Sequence, residues 1–272
     1  MPPSEHDTPT LSRLIAVAVG NTRTRSGVFQ GTELTESGVD ANADAGAADR
    51  VIAAAKHLIA ADGPAPVVVI ATVNPPEADR LSERLRDAAL GLEIYRVGRD
   101  MGIPIEAALD DAGIKTVGHD RLLNALGAYT LVGQACVVVD VGTAVTVDFV
   151  DGVGTFQGGA IGPGLAMMLD ALHRGTAQLP AIKYERPPED RAWGVNTHDA
   201  MNLGVTAAVR GMVRHLAESC AEQFGGYPTI IATGGDAGIL ENDGVVERIM
   251  PDLQLVGIRA ACERTLAEDD PA

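Results

Sequence analysis

Apolar residues in this chain come in short unbroken runs separated by glycine and polar turns. Residues 14–19, Leu-Ile-Ala-Val-Ala-Val, form one such run, and it predicts a continuous apolar strand. Gly20-Asn21-Thr22 follows as a turn, and residues 25–30 and 34–37 predict two further strands. The same order returns later. Val137 to Val139 deliver Asp140 and the turn Val141-Gly142-Thr143-Ala144, then the chain alternates through Val145, Thr146, Val147 and Asp148. A second glycine turn leads to a third strand and Gly158-Gly159-Ala160-Ile161-Gly162-Pro163-Gly164. The repeat is visible in the residues themselves, AVAVGNT against VVVDVGT, each with a threonine just beyond the turn glycine.

Between these meanders the period changes. Helical spacing over 49–61 and 77–90 predicts two helices, with strands at 67–73 and 92–97. Residues 98–116 read as a loop holding Pro104, Asp110 and Asp111, and Gly118-His119-Asp120-Arg121 opens a helix that runs to about Val132 and ends at Gly133. After the second meander come a helix at 165–174, a proline-and-charge-rich surface loop at 183–191 and a long amphipathic helix at 199–224. A strand at 227–232 then ends in Thr233-Gly234-Gly235-Asp236, and a helix at 260–268 closes the chain. Residues 1–10 read as a disordered polar leader. Two halves, 11–132 and 133–272, each a meander followed by alternating helices and strands, predict an α/β fold of two related domains. An interdomain cleft between them would place a ligand between the glycine turns.

Composition narrows the function classes. With 272 residues, 46% of them hydrophobic, the chain builds its core without staples. A net charge of −16 works against nucleic acid or an anionic membrane as a partner. Cys136, Cys220 and Cys262 are widely separated and lack CxxC spacing, which argues against a disulfide framework or zinc site and fits the reducing cytoplasm. No secretion signal opens the chain, and no apolar run approaches the roughly 20 residues of a membrane helix. The sequence has no GxxxxGK[ST] and no HExxH. A near match to the dinucleotide fingerprint at 152–158 falls between strands instead of opening a helix.

The remaining polar positions suit phosphoryl transfer, which mainly requires positioned donors, charge neutralisation and a carboxylate to take an alcohol proton. Thr22, Thr24 and Thr143 can donate to phosphate oxygens where Gly20 and Gly142 let the backbone approach closely. Asp120 reads either as a general base or as the N-cap of its helix, and Arg121 as a fork for an anionic substrate. Asp140 reads as a hard oxygen ligand or as a plain polar strand end. His119 reads as exposed filler, and Trp193, Met167 and Met168 as packing residues.

Taken together, Gly20-Asn21-Thr22, Gly118-His119-Asp120-Arg121, Asp140-Val141-Gly142-Thr143-Ala144, the glycine run at 158–164 and Thr233-Gly234-Gly235-Asp236 resemble the type III pantothenate kinases, over about 14–257. The resemblance implies duplicated ribonuclease-H-like domains of the acetate kinase, sugar kinase, heat-shock chaperone and actin superfamily. It also implies ATP-dependent phosphorylation of pantothenate to 4'-phosphopantothenate, the first step of coenzyme A biosynthesis. Asp120 is then the proton acceptor, and Gly118, His119, Asp120 and Arg121 line the pantothenate site. Thr197 reaches the pocket of the neighbouring subunit, which implies a homodimer. Gly20, Asn21, Thr22, Arg23, Thr24, Arg25 and Thr143 form the ATP-binding set, with Mg²⁺ accompanying ATP and Asp140 holding a monovalent cation, K⁺ or NH₄⁺. Two positions depart from the family pattern. Ala18 stands where an aspartate precedes the first turn, and Asp111 with Gly113-Ile114 stands where the family has a tyrosine followed by Asn-Pro. Those departures keep two rival readings open: a catalytically weakened relative with a nucleotide-binding or regulatory role, and a kinase for another small hydroxy acid.

Overall fold

Among the described residues, ten strands form two five-stranded sheets of identical connectivity. The computed structural model describes residues 12–269 apart from 45, 62, 63 and 190, so the leader expected at 1–10 lies outside the described residues. The first sheet contains β1 (Arg13–Val19), β2 (Arg23–Gln30), β3 (Glu33–Ala41), β4 (Val67–Thr72) and β5 (Glu93–Arg96), in the order β3-β2-β1-β4-β5. The second contains β6 (Cys136–Val141), β7 (Ala144–Val150), β8 (Phe156–Pro163), β9 (Thr229–Thr233) and β10 (Arg248–Ile249), in the order β8-β7-β6-β9-β10. In each sheet the first three strands are an antiparallel meander and the last two run parallel to the first. The repeat seen in AVAVGNT and VVVDVGT is therefore a repeat of the whole α/β sheet, as duplicated ribonuclease-H-like domains require.

The described residues through Glu106, Asp110–Leu131 and those from Asp252 onward make the first compact unit. Its central strand β1 is buried on both faces, which is why its sequence is continuously apolar. Ile15, Val17 and Val19 pack against Val51 and Leu58 of α1 (Gly46–Ala60) and Leu81 and Leu85 of α2 (Pro75–Asp87). On the other face, Leu14, Ala16 and Ala18 meet Leu123 and Leu126 of α4 (His119–Val132) and Leu255 and Ile258 of α7 (Leu253–Asp269).

Several boundaries differ from expectation for local reasons. Helix α2 starts at Pro75 because Asn74 caps it, accepting the Glu77 N–H, and prolines lack only an N–H that the first turn does not use. Helix α1 reaches back to Gly46 because Ala47 and Ala48 are buried against the sheet. The expected loop at 98–116 contains α3 (Asp111–Thr116), whose cap Asp110 accepts the Gly113 N–H at 2.7 Å. Helix α7 begins at Leu253, well before residue 260, and it packs on β1 of the first sheet although the expected boundary assigned 133–272 to the second domain. Gly257 obscures that helix in sequence. A Cβ at Gly257 would collide with the Leu123 carbonyl oxygen, and one at Gly127 would lie 2.7 Å from the Leu253 oxygen, so α4 and α7 cross backbone to backbone.

The second unit comprises Ala107–Leu109 and Val132–Pro251. Val137, Val139, Val141, Val145 and Val147 bury one sheet face under Leu165 and Leu169 of α5 (Leu165–Gly175) and Met201, Val205, Val209 and Val213 of α6 (Thr197–Phe224). Helix α6 starts at Thr197, with Asn196 as its cap, and stops at Gly225, whose φ of 75° lies in the left-handed region. The expected surface loop at 183–191 is held down onto α6. The Tyr184 hydroxyl lies 3.0 Å from that of Thr206, and the Glu185 N–H donates to Asn202 at 3.0 Å. No helix among the described residues is long and apolar enough to cross a membrane.

Candidate active site

In the first unit, β1 and β2 deliver the turn Gly20-Asn21-Thr22, closed by the Gly20 N–H donating to the Arg23 carbonyl at 3.0 Å. Asn42, which no sequence motif marks, braces this turn from behind. Its side-chain amide donates to the Gly20 carbonyl at 2.8 Å and its N–H to the Thr22 carbonyl at 3.0 Å. Thr24 completes the brace, being 1% exposed with its hydroxyl donating to Asn42 Oδ1 at 2.9 Å. The hydroxyl expected to meet phosphate at Thr24 is thus turned inward, while Asn21, Thr22 and Arg23 are exposed. Arg25 is also engaged, pairing with Asp252 at 2.7 Å, and Asp252 additionally accepts the Ser37 hydroxyl at 3.0 Å. Ala18 pairs across the sheet with Arg25 on one side and Ala71 on the other, and at 3% exposure offers no donor.

Also in the first unit, Asp120 sits on the first turn of α4. The helix starts at His119, so Asp120 is its second residue and not its cap, and its carboxylate accepts the Arg121 N–H at 2.9 Å. A Cβ at Gly118 would collide with that carboxylate, so the glycine of Gly118-His119-Asp120-Arg121 makes room for it. His119 is half-buried, not exposed filler. Its ring lies on the backbone of Gly98, with both ring nitrogens 2.8 Å from where a Cβ at 98 would stand.

In the second unit, Asp140 is the next-to-last residue of β6, paired with Thr146 of β7 and Thr233 of β9. Its carboxylate rests against Gly234, whose φ is 96° and whose Cβ would overlap Oδ1. The next residues form a tight turn, the Gly142 N–H donating to the Ala144 carbonyl at 2.9 Å, with Thr143 exposed at its tip. Gly164 packs onto the Gly142–Thr143 peptide and donates to the Thr143 carbonyl at 3.1 Å. The glycine-rich spacing singled out in sequence therefore serves close backbone approach at one end of this sheet. No group of three or more His, Cys, Asp or Glu suited to a metal occurs among the described residues, so a carboxylate such as that of Asp140 could not belong to a closed cage of these side chains. Such a donor fits a loosely held hard cation better than a closed metal cage.

Thr197 is exposed at the start of α6 and lies on an open apolar groove of about 1020 Å³ between α5 and α6, lined also by Met167, Leu172, Leu179, Met201 and Val205. Met167 is 46% exposed in this groove and Trp193 is 74% exposed nearby in sequence, so neither is the packing residue expected.

A family model described as type III pantothenate kinase matches residues 14–219. A type III pantothenate kinase of Frankia alni is 34% identical over 257 residues, covering 93% of this chain and 100% of that protein. Its counterpart in Moorella thermoacetica is 33% identical over 258 residues, 92% and 99% of the two chains. One from Akkermansia muciniphila is 43% identical over 149 residues, 54% of this chain and 60% of that protein. Among solved structures, a Baf family transcriptional activator from Campylobacter jejuni superposes with a TM-score of 0.58 at 18% identity, covering 92% and 98% of the chains. Component A of the (R)-2-hydroxyglutaryl-CoA dehydratase of Acidaminococcus fermentans gives 0.52 at 15% identity, covering 93% and 96%. These two likenesses concern the fold alone.

Proposed function

Because this chain belongs to the type III pantothenate kinase family, we propose that it phosphorylates the primary hydroxyl of pantothenate with ATP, using Asp120 as the general base. The products are 4'-phosphopantothenate and ADP, and the reaction opens coenzyme A biosynthesis. One observation carries this reading: a single match over 14–219 takes in the first glycine turn, the Asp120 helix and the Asp140 turn.

The hydroxyl oxygen of pantothenate attacks the γ-phosphorus, the bond from γ-phosphorus to the β,γ-bridging oxygen breaks, and the hydroxyl proton passes to the Asp120 carboxylate. Gly118 and the Arg121 N–H hold that carboxylate in place, and Arg121 supplies positive charge for the acceptor's own carboxylate. For ATP, the exposed Asn21, Thr22, Arg23 and Thr143 present donors to phosphate oxygens and the half-buried Gly20 shapes the turn, while Thr24 and Arg25 support it. Mg²⁺ bound with ATP supplies charge neutralisation on the phosphates. Asp140 is the residue that would hold a monovalent cation such as K⁺ or NH₄⁺. The apolar groove beside Thr197 supports a homodimer in which a second copy covers α5 and α6.

Asp120→Asn tests the assignment of the base. Transfer falls by about 10²-fold or more while ATP affinity measured by calorimetry persists; retained turnover would reduce Asp120 to a helix-terminal residue.

A further inference from the structure

The turn after β5 and the first turn of α4 are locked together by a contact that sequence proximity does not suggest. Val97 begins this turn and is buried in the same cluster as Leu123 and Leu126 of α4. Gly98 follows with φ 82°, and its N–H donates to the Met101 carbonyl at 2.8 Å. The turn is stiff. Asp100 accepts the Arg96 N–H at 2.7 Å while its own N–H donates to the Arg96 carbonyl at 2.8 Å, and the buried Arg96 guanidinium is anchored to Asp79 at 2.9 Å. Onto this frame the imidazole of His119 is laid so closely that a methyl group at Gly98 would overlap its Cε1.

We propose that Gly98 and His119 are a positioning pair: the Gly98 backbone serves as a seat for the His119 ring and thereby fixes the first turn of α4, which carries Asp120. The pair rests on the reading of this helix turn as the acceptor end of a kinase site. It assigns His119 a role different from direct contact with pantothenate, because its ring is spent on the protein's own backbone. The physical need is clear from the chemistry. A carboxylate that takes a proton at the moment of transfer must be held to a fraction of an ångström, and a misplacement of about 1 Å can lower the rate about 10²-fold. Gly118 confines the Asp120 carboxylate, but only relative to its own helix turn. The Gly98–His119 contact ties that turn to a rigid neighbouring element.

A double-mutant cycle tests the pair in the full chain, using kcat and both KM values for ATP-dependent pantothenate phosphorylation. His119→Ala, which leaves Gly98 unstrained, is expected to lower kcat about tenfold with each KM within about threefold. Gly98→Ala lowers kcat at least as much when His119 is present, but by clearly less in the His119→Ala background, where the methyl no longer meets the ring and the strain of positive φ is what remains. Strain at positive φ alone would give the same loss in both backgrounds and overturn the proposal. So would an unchanged kcat for His119→Ala, or a rise confined to the pantothenate KM, which marks a substrate contact. If Gly98→Ala fails to fold, the His119→Ala result decides alone. Activity retained by Asp120→Asn overturns the choice of base without touching the cycle, so the two readings fail separately.

Discussion

Thr22 and Thr24 differ in what their hydroxyls face, although they look equivalent in sequence. Thr22 is exposed on the turn and Thr24 is buried against Asn42. Thr22→Val is expected to raise the ATP KM roughly tenfold with little change in melting temperature, since a hydrogen bond to a charged group contributes about 1.5–3 kcal/mol. Thr24→Val does the reverse, lowering stability by about 1–3 kcal/mol through the stranded Asn42 oxygen and leaving the ATP KM nearly unchanged. Equal KM effects would show that both hydroxyls reach the nucleotide. The cysteines are separated by burial in the same way. Burial pushes the thiols of Cys136 and Cys262 up to about 12, so at pH 8 both stay in the unreactive thiol form. Burial also raises the half-buried Cys220 thiol. A thiol reagent at pH 8 should modify Cys220 first in the native protein and reach Cys136 and Cys262 only on unfolding; early loss of either buried thiol would contradict their placement.

At the scale of elements, the strands were legible because their burial leaves a direct mark: β1 is a continuous apolar run, β6 is one broken only by Asp140, and a turn glycine follows each. Helix limits were less so. The start of α7 was hidden by Gly257, a residue that weakens a helix in isolation and here permits the closest approach of two. Gly257→Ala is accordingly expected to destabilise the fold by about 1–3 kcal/mol despite its better helix propensity, as overpacked cores do. Chemical denaturation would measure it, and a stabilised variant would mean that the α4–α7 crossing is looser than described. The Gly98–His119 contact was illegible for a similar reason: helical spacing places His119 at the start of α4, but nothing local says which backbone its ring will meet.

Across the whole molecule, the repeat of AVAVGNT as VVVDVGT predicted two related sheets, and their matching strand orders bear that out. The packing of α7 on the first sheet was not legible, because it depends on contacts between residues at opposite ends of the chain. Homodimer formation through the apolar groove should appear in analytical ultracentrifugation as a dimer that Met167→Asp converts to monomer, since burying an unpaired carboxylate there costs several kcal/mol. A monomeric native chain would remove the reason for Thr197 to belong to a site. On the proposed reading Asp120 carries the weight of catalysis, since Ala18 stands where the family pattern has an aspartate. Direct measurement of 4'-phosphopantothenate formed from ATP and pantothenate, by the native chain and by Asp120→Asn side by side, tests that claim most directly. Product from the native chain and a loss of about 10²-fold or more in Asp120→Asn, with ATP still bound, is the result predicted; no product from the native chain, or equal rates from the two, would contradict it.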